Sequence, residues 1–259
     1  MYGSERRRHI TETLAASGRV TVADLASGLD VSAETIRRDL SALESEGILE
    51  RTHGGAVPAI PGGRTERTLA ARRAENVDAK AAIGRTALQF LPTPGGAVLL
   101  DSGSTTASLV DAMCTGPAEG HGLSLITNSV PLAETLHRAG RDRLHMLGGS
   151  ARGLTGACVG AETLRALRAI RVDVAFIGAN GLEAERGLTT QDPEEAAVKA
   201  EMCRAARRVV LLADSSKFGR DFLVSFAGLD KVDVLITDTR PTGALATALD
   251  EQGIEVLLP

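Results

Sequence analysis

The sequence contains few of the residues on which several classes of protein depend. Aromatic side chains make up 2% of its 259 residues, with one tyrosine and no tryptophan. Proteins that bind single-stranded nucleic acid stack bases on such side chains, so that class is disfavoured, whereas contacts to a duplex do not require them. No apolar run approaches the ~20 residues of a membrane-spanning helix, and the N-terminus leads into no hydrophobic region. We therefore expect a cytoplasmic protein without a membrane partner.

Cysteines and the common nucleotide-binding motifs are also scarce. The three cysteines, Cys114, Cys158 and Cys203, form no CxxC pair, and the five histidines are scattered. This pattern is typical of free thiols in a reducing compartment and predicts neither a disulfide framework nor a metal site. The motifs GxxxxGKS/T and GxGxxG are both absent, which argues against a P-loop and against a dinucleotide-binding domain. We expect no cofactor.

Residues 31–47, VSAETIRRDLSALESEG, are the stretch from which we interpret the rest of the chain. Ile36, Leu40 and Leu43 share one face of a helix at 3.6 residues per turn, and Ser32 is a suitable N-cap. Such a helix fits the major groove of DNA, although an ordinary amphipathic surface helix has the same pattern. The opposite face and its flanks carry the polar residues Glu34, Thr35, Arg37, Arg38, Ser41 and Ser45.

The neighbouring sequence favours the first interpretation. Thr21 and Asp24 form a capping box at the start of a short helix, and the turn 30–32 separates that helix from the next, which is helix-turn-helix spacing. Another helix precedes them, and residues 47–57 alternate like two short strands joined by a turn. The pattern predicts an α+β winged helix-turn-helix domain over residues 1–57.

These residues resemble the DNA-binding domain of the DeoR family of bacterial repressors. The resemblance rests on TIRRDL at 35–40 and RTHGG at 51–55. It implies binding to double-stranded operator DNA, with some side chains contacting bases and others the phosphate backbone. Thr35, Arg37 and Arg38 are the residues expected to contact bases. Those expected to position the backbone or to add local positive charge are Arg6, Thr21, Ser32, Arg51 and His53.

The rest of the chain has a different pattern. Residues 58–75 are rich in turn-forming and charged residues, so we predict a linker there. Beyond it, short apolar segments alternate with helical ones, which predicts an α/β domain over residues 76–259 with a mostly parallel sheet covered on both faces. The predicted strands are 97–101, 123–127, 144–147, 172–177, 209–213, 234–237 and 255–258, and helices are expected near 77–92, 105–114, 130–139, 160–169, 192–206 and 241–252.

Small and polar residues follow several predicted strands, at the sheet edge where ligands bind in such folds. After the first strand, DSGSTT at 101–106 combines a glycine with hydroxyl groups and the start of a helix, which is typical of a phosphate-binding turn. A plain helix cap would have the same composition. Later strand ends are followed by Asn128, Arg152, Asn180 and Lys217.

This half resembles the effector domain of the same family, through LLDSGSTT, ITNS, LGG, FIGANGL, GLTTQDPEEAAVK and LLADSSKFGR. The resemblance implies a fold like that of ribose-5-phosphate isomerase and a phosphorylated sugar or metabolite as effector. Asn180, Asp192 and Glu195 are then expected near the sugar hydroxyls, while ion pairing or solvent exposure is an equal alternative for the two carboxylates. The residues implied to hold the ligand are Asp101, Ser102, Gly103, Ser104, Thr105 and Thr106, with Asn128, Arg152 and Lys217 around it.

Two functional hypotheses follow. The first is a repressor of a sugar-uptake or catabolism operon whose DNA affinity depends on a bound sugar phosphate. MYGSERRR, KAAIGRTALQFLP and FLVSFAGLDKVDVLITD resemble actinobacterial repressors of fructose operons, which implies fructose 1-phosphate. With a net charge of −4, one copy offers few DNA contacts, so a homo-oligomer, dimer or tetramer, is expected. The alternative is a sugar-phosphate isomerase or deaminase with Asp192 or Glu195 as general base. The amide of Asn180, where such enzymes have an acidic cluster, disfavours it.

Overall fold

The chain forms two compact units, Met1–Glu66 and Arg67–Pro259. The computed structural model describes residues 3–45, 48–52, 54–58, 66–115 and 122–259. Among these residues, no helix is both long and apolar enough to cross a membrane. Each unit has its own buried core, so the two are described separately.

The first unit contains the predicted winged helix-turn-helix. Its three strands form an antiparallel sheet in the order β1-β3-β2. Ile36, Leu40 and Leu43 are buried against the first helix, as their spacing predicted. A Cβ at Gly55 would lie 2.0 Å from the backbone oxygen of Val20, so only glycine permits this approach of the strands. The elements are α1 (Gly3–Ser17), β1 (Val20–Thr21), α2 (Val22–Gly28), α3 (Ala33–Ser45), β2 (Leu49–Thr52) and β3 (Gly55–Pro58).

The second unit is an α/β domain built on a seven-stranded sheet. Its helices are α4 (Leu69–Arg73), α5 (Val77–Ala87), α6 (Ser104–Thr115), α7 (Val130–Arg138), α8 (Ala161–Arg168), α9 (Pro193–Ala205) and α10 (Gly243–Glu251). Its strands are β4 (Ala97–Leu100), β5 (Ser124–Thr127), β6 (Leu144–Met146), β7 (Ser150–Ala151), β8 (Cys158–Val159), β9 (Val172–Ile177), β10 (Gly181–Glu183), β11 (Gly187–Thr190), β12 (Ala206–Leu212), β13 (Val224–Ala227), β14 (Val234–Ile236) and β15 (Glu255–Leu257). Three short 3₁₀ segments, Leu88–Phe90, Ser215–Lys217 and Leu229–Lys231, are also present in the described part of this unit.

The main sheet confirms the predicted α/β class. Its strand order is β15-β14-β12-β9-β4-β5-β6, and every neighbouring pair is parallel. Along β9, Val174 and Phe176 join one core while Ala175 and Ile177 join the other, because successive side chains point to opposite faces. All seven predicted strands lie in this sheet. Two small antiparallel sheets, β10-β11-β13 and β7-β8, were not predicted.

The prediction of a linker over 58–75 is only partly compatible with the structure. Residues 69–73 form helix α4, which belongs to the second unit. Leu69 is buried, and its N–H donates to the backbone oxygen of Leu154 at 3.0 Å. Periodicity could not predict so short a helix, because five residues span little more than one turn. Residues 59–65 of the predicted linker lie outside the described residues.

Helices α5 and α6 approach each other closely through a glycine. A Cβ at Gly84 would lie 2.6 Å from the carbonyl group of Ser108 and 2.7 Å from the nitrogen of Leu109. Helix α6 starts directly after β4, so this packing helps to fix the position of its N-terminal turn. That turn forms one wall of the site described below.

Candidate functional site

The outer face of α3 presents two exposed arginines. The side chains of Arg37 and Arg38 are 55% and 82% exposed, and each lies within 4 Å of the Glu34 carboxylate. Ser32 caps the helix by accepting a hydrogen bond from the Thr35 N–H at 3.1 Å, and the two hydroxyls lie 2.9 Å apart. The helix therefore offers its guanidinium groups to solvent while its N-terminus is closed by its own hydroxyls.

Arg6, which we predicted to lie along the DNA backbone, has a partner within the first unit. Its guanidinium forms an ion pair with Asp39 on α3, and both side chains are mostly buried. The hydrogen bond to Asp39 raises the pKa of this guanidinium. The apolar contact of α1 with α3, through residues such as Ile10 and Ile36, brings the two charges together. The pair holds α1 on α3, and a contact of Arg6 with the DNA backbone stays a prediction.

Two other predicted DNA-binding residues also have local partners. The Thr21 hydroxyl accepts from the Asp24 N–H at 3.1 Å and donates to its carboxylate at 2.7 Å, which closes the predicted capping box. Arg51 donates to the Ser41 hydroxyl at 2.7 Å and so ties strand β2 to α3. His53 lies outside the described residues.

A cleft in the second unit lies at the carboxyl ends of β4, β9 and β12. Gly103, Ser104 and Thr105 contribute the N-terminal turn of α6, and residues 178–180 contribute the loop after β9. This is the sheet edge at which parallel α/β folds bind ligands. In the described part of the chain, the cleft is lined by Arg72, Gly103, Ser104, Thr105, Gly178, Ala179, Asn180, Lys199 and Lys217.

Asp101 organises the cleft from beneath. Its side chain is 1% exposed and accepts hydrogen bonds from the N–H of Gly103 at 2.8 Å, the N–H of Gly178 at 2.7 Å, the Thr106 hydroxyl and the Lys199 ammonium. Burial by itself raises the pKa of Asp101, but the charge of Lys199 and these hydrogen bonds outweigh burial and hold the pKa below its ordinary value. The prediction that Asp101 and Thr106 contact a ligand is therefore corrected: they bind each other and shape the turn.

Lys199 is a site residue that we did not predict. It lies on the buried face of α9 with Val198 and Met202, and its ammonium also donates to the Gly178 oxygen at 2.9 Å. A lysine on an apolar helix face requires a buried anion. A lysine among apolar residues of a predicted helix was therefore the signal in the sequence, but the sequence did not identify Asp101, 98 positions away, as its partner.

Hydroxyl groups at the start of α6 are available to a ligand. Ser104 and Thr105 have no side-chain hydrogen-bond partner in the described part of the chain, although both are more than nine-tenths buried. The first N–H groups of a helix lack intrahelical acceptors, and the helix dipole adds partial positive charge at this end. Together they can bind an anion. Ser102, also predicted, is buried and is not part of the cleft lining.

The opposite wall of the cleft is cationic. The Lys217 ammonium lies 4.0 Å from the carboxylate of Asp214, and burial lowers the pKa of this lysine despite that neighbour. Arg72, from α4, also lines the cleft, and its Nε is buried without a hydrogen-bond partner among the described residues. Lys80 lies close by; burial lowers its pKa to about 8. Lys80 and Lys217 both interact with the Asp214 carboxylate, whereas Arg72 has no carboxylate within salt-bridge distance in the described part of the chain.

Arg152, Asp192 and Glu195 pair with one another. Arg152 lies 2.6 Å from the Glu195 carboxylate and 3.1 Å from that of Asp192. Asp192 also caps α9, and Thr155 donates to Glu195 at 2.7 Å. None of the three lines the cleft in the described part of the chain. Of the alternatives we considered, ion pairing describes the two carboxylates, and the placement of Arg152 around the ligand stays a prediction.

The two predicted asparagines have different roles. Asn180 lines the cleft, and its side-chain oxygen accepts from the Thr190 hydroxyl at 2.7 Å, which leaves its amide group for a ligand. Asn128 is buried away from the cleft lining, and its amide donates to the backbone oxygen of Cys158 at 2.9 Å. The amide of Asn128 therefore fixes strand β8, its side-chain oxygen has no hydrogen-bond partner among the described residues, and its contact with a ligand stays a prediction.

Fold and site together define a helix-turn-helix regulator with a separate sensor domain. Residues 6–59 match the DeoR-like helix-turn-helix domain, and residues 75–239 match the DeoR C terminal sensor domain. The chain belongs to the DeoR family of DNA-binding transcriptional regulators, which confirms the resemblance seen in the sequence.

Similar proteins support this assignment over the whole chain. The HTH-type transcriptional regulator GlpR of Haloferax volcanii is 37% identical over 99% of this chain and 98% of its own. The uncharacterised HTH-type transcriptional regulator FruR of Bacillus subtilis is 34% identical over 92% of both chains. The glycerol-3-phosphate regulon repressor of Escherichia coli is 29% identical over the full length of both. These names agree with a regulator and not with an enzyme, as we predicted.

Solved structures overlap with part of the chain. Ribose 5-phosphate isomerase A from Methanocaldococcus jannaschii covers 56% of this chain and 55% of its own, with 20% identity and a TM-score of 0.42. Because both values are low, the fold class rests on the strand order of the sheet and not on this likeness.

Proposed function

We propose that this protein represses a sugar-uptake or catabolism operon, and that a phosphorylated sugar bound in the cleft controls its affinity for double-stranded operator DNA. The observation that carries the proposal is the pairing of Ser104 and Thr105, whose hydroxyls have no protein partner in the described chain, with the cations Lys217 and Arg72. Free donors and excess positive charge suit a dianionic phosphate group. The glycerol-3-phosphate regulon repressor, a relative over the full length, is named for a phosphorylated metabolite.

The sugar itself is expected to lie on the side of Asn180. Its amide group is the neutral hydrogen-bonding side chain that the loop after β9 contributes to the cleft, and amides suit hydroxyl groups. Fructose 1-phosphate is our first candidate, because three segments of the sequence resemble repressors of fructose operons.

On the DNA side, Arg37 and Arg38 are proposed to contact bases with Thr35, because their guanidinium groups are the exposed cations of α3. Arg51, Ser32, Thr21 and His53 are proposed to lie along the phosphate backbone. We further propose a cytoplasmic homo-oligomer, dimer or tetramer, since a chain with a net charge of −4 gains affinity from paired heads.

The test is a thermal-stability titration of the full chain with sugar phosphates and with the same sugars lacking phosphate. A ligand at about 100 times its Kd stabilises the native state by about 2.7 kcal/mol, which raises the Tm of a unit of this size by roughly 5–10 °C. Thr105→Ala is expected to abolish the shift. Thr115→Ala, at the far and exposed end of α6, is the matched control and should retain it. A shift of equal size with the dephosphorylated sugar contradicts the proposal.

A further inference from the structure

Arg72 is a charged residue without a counter-ion. Lys199 in the cleft pairs with Asp101, and Lys217 has Asp214 at 4.0 Å, but Arg72 has no carboxylate partner within the described ranges. Its Nε is buried and makes no hydrogen bond there. Of the charges around it, Lys80 and Lys217 are positive, and the carboxylate of Asp214 already interacts with both of these lysines. A partly buried guanidinium is costly without an anion, so the missing partner is expected to come from the ligand.

The helix that carries Arg72 is held only by residues of the second unit among the contacts that the structure describes. Arg73 pairs with Asp111 on α6 at 2.6 Å. Lys80 donates to the backbone oxygens of Arg72 and Glu75, the latter at 2.7 Å. Helix α4 is therefore fixed to α6, the helix whose first turn forms the phosphate-binding wall.

Helix α4 lies close to the point in the chain where the second unit begins. The boundary between the two units falls between Glu66 and Arg67, and α4 begins at Leu69. Among the residues that the structure describes, it is thus the first helix or strand after those of the DNA-binding unit. A ligand that binds Arg72 therefore also fixes α4, to which the far end of the segment that leads from the DNA-binding unit is attached.

We infer that Arg72 binds the phosphate of the effector, and that α4 is the element through which occupancy of the cleft reaches the segment leading to the DNA-binding unit. The inference rests on the function proposed above. It assigns to a residue outside the family's sensor-domain match, which begins at residue 75, both a binding and a coupling role. Coupling of this kind requires that the ligand favour one state of α4 over another.

Binding is tested with Arg72→Ala and with Arg85→Ala as control, titrated with fructose 1-phosphate and with inorganic phosphate. Loss of a charge-assisted contact to phosphate should weaken binding by Arg72→Ala about 10- to 100-fold. Arg85→Ala should bind as the wild type does, because its side chain is exposed on α5 and does not line the cleft. Arg72→Lys, which keeps the charge but loses the planar fork, should be intermediate.

Coupling is tested by hydrogen exchange in segments 69–76 and 103–108 of the full chain. In the wild type, ligand should slow exchange in both segments. In Arg72→Ala at saturating ligand, protection should persist in 103–108 and be lost in 69–76. Protection of 69–76 in Arg72→Ala equal to that in the wild type and in Arg85→Ala overturns the inference and leaves the proposed function intact. If no phosphate compound protects 103–108 in the wild type, the proposed function fails and the inference fails with it.

Discussion

The buried ion pair of Asp101 and Lys199 should dominate the stability of the second unit. Lys199→Met removes the ammonium but leaves Asp101, 1% exposed, with three neutral donors. Breaking a buried pair by removing one partner costs about 3–5 kcal/mol. At roughly 2–4 °C per kcal/mol for a unit of this size, the Tm should fall by about 6–20 °C. Asp101→Asn should have a loss of similar size, because it leaves the ammonium buried without its carboxylate.

The assay is urea unfolding followed by far-UV circular dichroism, since the protein has no tryptophan. The double variant Asp101→Asn/Lys199→Met should lie within about 1–2 kcal/mol of the worse single variant, because the two charges form one unit. Lys231→Met, which breaks the exposed pair with Asp230, is the matched control and should cost about 1 kcal/mol or less. Additive losses in the double variant, or a loss below about 1 kcal/mol in Lys199→Met, would refute the reasoning.

Three further predictions concern other parts of the chain. Gly84→Ala should lower the free energy of unfolding by about 1–3 kcal/mol, because its methyl group meets the backbone of α6. Gly28→Ala is the control and should not lower it, because a methyl group there meets nothing within 4 Å. Equal shifts of the urea midpoint in the two variants would contradict the close packing. Lys80 has a pKa of about 8 in the folded protein, against an ordinary value of 10.5, so between these pH values the unfolded chain binds more protons. The free energy of unfolding should therefore rise with pH across that window, by up to about 3 kcal/mol more than in Lys80→Met. Equal slopes of unfolding free energy against pH in the two proteins would show that Lys80 is not desolvated. Arg38→Ala should weaken binding to an operator selected from random duplexes by about 1–3 kcal/mol and should weaken non-specific binding less. An equal loss on all sequences would count against base contacts. Arg8→Ala, which removes another exposed arginine, is the control and should not show this difference between sequences.

Regular elements could be predicted because their causes are local. The period of Ile36, Leu40 and Leu43 specifies the buried face of α3, and the near-continuous apolar runs specify all seven strands of the sheet. The capping box of Thr21 is closed within four residues. In each case the determining residues are neighbours in sequence.

Side-chain roles at the sites were harder to predict because their partners are distant in sequence. Arg6 and Asp39 are 33 positions apart, and Lys199 and Asp101 are 98 positions apart. The motif DSGSTT indicated the correct turn, but only the structure separates Ser104 and Thr105, which line the cleft, from Asp101 and Thr106, which bond beneath it. Arg72 lay in a segment without periodicity, so nothing in the sequence pointed to it.

The hydrogen-bond network of Asp101 includes the turn at the start of α6 but not the side chain of Asn180. Strand β4, the loop after β9 and helix α9 are tied together without a ligand, so in the proposed mode of binding the turn that faces the phosphate is held in place before the ligand binds. In the same proposal, discrimination among sugars depends on Asn180, whose side chain is hydrogen-bonded to Thr190 and not to Asp101. Substitution of Asn180 is therefore expected to change the preference for the effector without removing a hydrogen bond to Asp101 or Lys199.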